Sequence, residues 1–117
     1  MKYKKFEETP VWQDARAFVN DIYRMLSNNK KLKTDYSLCD QLKRASYSIM
    51  LNIAEGFERG FNKDFAHFID FAKGSAGEVR SIMYIMLDNK YISTKSLVIT
   101  TKNWKKYLHN FQVSKII

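Results

Sequence analysis

Residues 62–89 read NKDFAHFIDFAKGSAGEVRSIMYIMLDN. Within this stretch Phe65, Phe68, Ile69, Ala72, Ala76, Val79, Met83 and Met86 recur at steps of three and four residues, the spacing that lines one face of an α-helix. The seam persists for about six turns, far beyond the length of an ordinary strand. Asn62 stands at the N-cap position and Asp64 falls in the first turn, where a carboxylate suits the positive helix end. In the middle, Gly74-Ser75-Ala76-Gly77 sets small residues inside the helix. A helical glycine costs roughly 1 kcal/mol against alanine, so this run predicts a neighbouring helix at close approach.

Three further segments repeat the pattern on either side. Over residues 35–58, Leu38, Leu42, Ala45, Ile49 and Ile53 form an apolar face. Thr34 or Asp35 stands at its start, and Gly56 and Gly60 bracket its expected exit. Over 10–27, Thr9 serves as cap and Pro10 as first helical residue, with Val11, Ala15, Phe18, Ile22 and Met25 as the seam. Asn28-Asn29-Lys30-Lys31 then reads as a polar loop. Over 93–112, Ser93 caps a seam of Leu97, Thr101, Trp104, Leu108 and Phe111. Four amphipathic helices joined by short loops predict an all-α, antiparallel up-down-up-down four-helix bundle, with residues 1–117 forming a single domain.

The bulk numbers agree. A chain of 117 residues, 45 % hydrophobic and 27 % charged, suits one globular domain with its own core. One proline and four glycines are too few for the many turns of an all-β fold. The single cysteine, Cys39, excludes an intrachain disulfide and a multi-cysteine zinc site, and fits a reducing compartment. Met1-Lys2-Tyr3-Lys4-Lys5-Phe6 is basic but lacks the apolar core of a secretory signal. No apolar run reaches the length of a membrane span. A cytoplasmic protein without a membrane partner is expected. The formal charge of +8 and pI near 9.6 point toward a polyanionic partner, RNA or DNA.

The basic residues form clusters. Lys2, Lys4 and Lys5 read as a flexible arm; Lys30, Lys31 and Lys33 fill the first loop; Lys43 and Arg44 sit on the second helix; Lys102, Lys105 and Lys106 share a face of the fourth. These last eight residues are the candidate nucleic-acid contacts. Asn52 and Glu55 lie among apolar neighbours, where polar groups need partners. Glu55 is placed to pair with Arg59 one turn on, or with Arg44 or Lys43 across an interface. No second acid or nucleophile accompanies Glu55 at a catalytic spacing. Asp64 and His67 form a single acid–histidine pair, whereas a di-iron bundle needs two such pairs and two further glutamates. No catalytic, metal or cofactor site is therefore expected, and no enzymatic activity. Trp12, Phe57, Phe61, Phe71, Tyr84 and Ile85 exceed what one bundle seam can bury, which predicts self-association.

With the helices placed, Gln41-Leu42-Lys43-Arg44-Ala45-Ser46, Ser48-Ile49, Asn52-Ile53-Ala54-Glu55-Gly56 and Arg59 stand on the second helix. Asp64-Phe65, Phe68, Gly74-Ser75 and Glu78 stand on the third, and Val11-Trp12-Gln13 with Ala15 on the first. Together they resemble the bacterial four-helix-bundle proteins encoded in 23S rRNA intervening sequences, from Phe6 to Leu108. A more distant similarity is to the accessory variability determinant proteins of diversity-generating retroelements. The resemblance implies a ring-like homopentamer, a nucleic-acid role and no enzymatic activity. It also makes Asn52, Glu55, Gly56, Arg59, Gly74, Ser75 and Glu78 structural or interface residues. The sequence departs from the pattern at Lys30–Asp35, where relatives carry proline and a glutamate, and at Asn89-Lys90, where they carry a glycine. The alternative reading is a protein–protein interaction scaffold without nucleic-acid affinity.

Overall fold

A computed structural model describes the chain over residues 2–101 and 109–117, with side chains over 2–97 and 109–117. Its helices are α1 (Pro10–Asn28), α2 (Lys30–Lys33), α3 (Tyr36–Glu58), α4 (Asn62–Asp88) and α5 (Thr94–Thr101), with 3₁₀ turns at Phe6–Glu8 and Val113–Lys115. No strand occurs among the described residues. The 27 residues of α4 span about 40 Å at the α-helical rise. That length sets the 43 Å long axis of the molecule.

The predicted seams face one another. Ile22 of α1, Leu42 and Ile53 of α3, and Phe65, Ile69, Val79, Met83 and Met86 of α4 are almost wholly buried in one cluster. Each such side chain contributes about 1.5–3 kcal/mol of burial relative to exposure. Helices α1, α3 and α4 alternate in direction. Ser93 shares a cleft with Asn28 and Asn29 at the end of α1, while Asn110 bonds Asp14 near its start. The fourth segment thus leaves one end and arrives at the other, giving the up-down-up-down order of a four-helix bundle.

Several caps stand where the sequence places them. Thr9 Oγ1 accepts from Trp12 N at 3.4 Å, Asp35 Oδ1 from Leu38 N at 3.2 Å, and Ser93 Oγ from Ser96 N at 3.1 Å. Other expectations need correction. Asn62 is the first residue of α4, and Phe61 precedes it at the N-cap with no side-chain bond. The polar loop after α1 contains a helical turn instead: Asn29 Oδ1 accepts from Leu32 N at 2.9 Å and drops Leu32 into the core.

α3 ends at Glu58, between Gly56 and Gly60 as expected, but Gly56 is buried inside its last turn, and an added Cβ there lies 2.5 Å from Phe68 Cβ. It lets α3 and α4 approach closely. The exit is made at Gly60, whose φ of 81° is the left-handed conformation that glycine adopts without strain. Gly74 and Gly77 behave oppositely, because an added Cβ at either meets nothing within 4 Å. Among the described residues nothing packs against that side of α4 at these two positions.

The N-terminal arm is tied down rather than free. Lys2 N donates to Ile116 O at 3.2 Å, Tyr3 packs against the core, and Ile116 of the tail is buried. Of the expected fourth helix, Leu97 and Phe111 are buried, whereas Trp104, Leu108, Lys102, Lys105 and Lys106 lie outside the described residues. Among the described residues no helix is long and apolar enough to cross a membrane.

Candidate nucleic-acid interface

Three surfaces collect the residues that the sequence singles out. The first is the open face of the α3–α4 pair, where a polar ladder joins the helices. Gln41 Nε2 donates to Glu78 Oε1 at 2.9 Å, and the hydroxyls of Ser48 and Ser75 lie 2.8 Å apart. Asn52 Nδ2, half-buried, donates to Ser48 O at 2.8 Å and Ser48 Oγ at 3.0 Å. Along α3 itself, Arg59 pairs with Glu55 at 3.3 Å. Arg44 turns instead to Asp40 at 3.0 Å, so it does not partner Glu55 in the chain.

These exposed ion pairs are worth about 0–1 kcal/mol each. The chief work of the ladder is to fix the register of α3 against α4. Asn52 and Glu55 each find a partner within one chain, on α3 itself. Among the described residues no group of three or more potential metal ligands forms. Asp64 stays in the first turn of α4, and His67 stacks edge-on to Phe71 at 4.5 Å.

The second surface is the end of the bundle where α1 finishes and α3 begins. Asn29 Nδ2 donates to Tyr91 O at 2.8 Å and Lys31 Nζ to Asn89 O at 3.3 Å. These bonds pin the turn after α4 to the turn after α1. Lys30, Lys31 and Lys33 are thereby joined by Lys90 and by Lys95 of the first turn of α5. Neither Lys90 nor Lys95 belongs to a cluster in the sequence, because some sixty residues separate them from Lys30. Lys43 lies just below on α3, its Nζ 5.5 Å from the Tyr23 ring centroid.

Of the carboxylates at this end, Asp88 closes α4 beside the basic turn and Asp35 is already engaged. Asp35 Oδ2 accepts from the Tyr91 hydroxyl at 2.9 Å, while Oδ1 caps α3. The bond to Asp35 raises the Tyr91 pKa above the usual tyrosine value, with desolvation adding to it. Burial likewise raises the Cys39 thiol, helped by Asp35 and opposed by Lys43. Cys39 Sγ donates to Leu32 O at 3.0 Å, and its raised pKa keeps the thiol protonated at neutral pH.

The third surface is the outward side of α4. Phe71, Tyr84 and Ile85 are about half exposed, and they flank the unpacked Gly74 and Gly77. Phe61, 70 % exposed, extends the apolar area at the α3–α4 turn. Trp12 and Phe57, by contrast, pack partly buried against the core. Tyr36, 82 % exposed at the start of α3, escapes a reading by apolar seams because it lies off every seam.

A family model described as 23S rRNA-intervening sequence protein matches residues 7–110 of the chain. A search of curated proteins finds no match.

Proposed function

The chain belongs to the 23S rRNA-intervening sequence protein family, and from that premise we propose that it is a non-enzymatic, self-associating helical protein that binds RNA or DNA electrostatically. The gathering of Lys30, Lys31, Lys33, Lys90 and Lys95 at one end of the bundle carries this reading. Among the described residues, none of these lysines pairs with a carboxylate within 4.0 Å. Their charge is therefore available to phosphates, whose neutralisation releases counterions.

Self-association is supported by the α4 face. Two helical glycines with open space beside them, flanked by half-exposed Phe71, Tyr84 and Ile85, suit the close approach of another subunit. Five subunits is the number that the resemblance implies. A ring repeats the basic end around its axis and adds avidity to individually weak contacts.

The test is fluorescence anisotropy of nuclease-treated protein with labelled RNA and DNA across a salt series, alongside sedimentation of wild type and Tyr84→Lys. Binding that weakens steeply with salt, and a smaller assembly for Tyr84→Lys, are the expected results. Absence of binding at low salt, with assembly intact, replaces this reading by a protein-interaction scaffold that uses the α4 face.

A further inference from the structure

We propose that the cleft between the end of α1, α2 and the start of α3 seats a single-stranded nucleic-acid segment, with Tyr36 stacking on a base and Lys33 and Lys43 holding phosphates. This rests on the polyanion reading above and specifies the strand form that the site takes.

The cleft encloses about 500 Å³, within the range of ligand-sized depressions. Its walls are Tyr23 and Ser27 of α1, Lys33 and Thr34, and Tyr36 and Lys43 of α3. The lining includes two lysines and no carboxylate. Among the described residues no acidic group comes within 4.0 Å of either ammonium. The nearby Asp35 is taken up by Tyr91 and by the α3 cap.

The tyrosines decide between strand forms. Tyr36 is 82 % exposed and Tyr23 39 % exposed, so each ring offers surface to a ligand. Lys43 Nζ sits over the Tyr23 ring, 5.5 Å from its centroid, so this cation covers one face of Tyr23 and shares the cleft with the open ring of Tyr36. A nucleotide needs such a combination, with its base on the Tyr36 ring and its phosphate on the ammonium. A duplex presents phosphates to the lysines but keeps its base faces inside the stack. It gains nothing from the tyrosines. A simple phosphate or a lipid headgroup has no use for the open Tyr36 ring.

The experiment uses the full chain and four labelled probes: a short mixed-sequence RNA strand, its DNA counterpart, an abasic strand of the same length, and the RNA duplex. At one low salt concentration the base-bearing strands should bind about tenfold tighter than the abasic strand, the contribution of one stacked base. Tyr36→Ala should remove most of that difference and leave the abasic affinity unchanged. The exposure of Tyr36 makes this variant safe for folding, which circular dichroism checks. Lys33→Gln combined with Lys43→Gln should weaken all four probes. Equal binding of abasic and base-bearing strands, or no effect of Tyr36→Ala, overturns the proposal while salt-sensitive binding leaves the polyanion reading standing. Failure of every probe to bind overturns both.

Discussion

Gly56→Ala adds one methyl group where α3 and α4 approach closely. An ideal Cβ there lies 2.5 Å from Phe68 Cβ and 3.2 Å from Phe68 Cγ. Phe68 Cβ is bonded to the α4 backbone, so rotating the ring does not relieve the clash. The helices have to separate, or α3 has to bend. Overpacking of this kind costs about 1–3 kcal/mol, and rigid obstacles fall toward the upper end. Alanine returns roughly 1 kcal/mol of helix propensity. A net loss of about 1–2 kcal/mol follows, which at a urea slope of about 2 kcal/mol/M lowers the unfolding midpoint by about 0.5–1 M.

Gly77→Ala supplies the opposite sign from the neighbouring helix. Its Cβ meets nothing within 4 Å, so the propensity gain of about 0.5–1 kcal/mol is expected without a steric penalty. Urea denaturation followed by circular dichroism, with both variants and wild type kept dilute to suppress assembly, makes the comparison. If Gly56→Ala raises the midpoint as Gly77→Ala does, the close approach of α3 and α4 at Phe68 is wrong.

The other expectations are more local. Replacing Lys30, Lys31 and Lys33 together by glutamine should flatten the dependence of log affinity on log salt by up to about 2 for a single strand; an unchanged slope moves the phosphate contacts elsewhere. The Tyr91 hydroxyl bond to Asp35 raises the folded-state pKa of Tyr91. Its stabilisation is complete below the ordinary tyrosine value and is lost as pH rises through the raised one. An absorbance titration should show one tyrosine ionising after the others, a step that Tyr91→Phe removes; a titration unchanged by Tyr91→Phe refutes the bond. Cys39, raised by burial, should alkylate more slowly than free cysteine near pH 8 and accelerate at higher pH, since the thiolate is the reactive form. Alkylation at the free-cysteine rate would show the thiol to be open and ionised.

The sequence by itself determined the class of fold and most of the core, though Leu32 and Ile116 are buried outside every seam. The period of 3.6 in four separated stretches leaves no other way to bury Ile22, Leu42, Ile53, Phe65 and Met83 together. Caps at Thr9, Asp35 and Ser93 were equally legible, because capping is chemistry between residues three apart. What depends on distance through space was not legible. Gly56 and Gly77 are both glycines inside helices, and nothing local shows that one faces Phe68 while the other faces open space. The N-terminal lysines resemble a loose arm until Ile116 O is found beside Lys2 N.

Nor can linear spacing bring Lys90 and Lys95 to Lys31, or Tyr23 to Tyr36 across a cleft. Periodicity reports which face of a helix is buried, and a short-range bond reports where the helix starts. The partners of a surface residue are decided by the return of the chain, which tertiary packing alone directs. Most of the core was therefore written in the sequence, while the basic end and its tyrosine-flanked cleft were assembled by the fold.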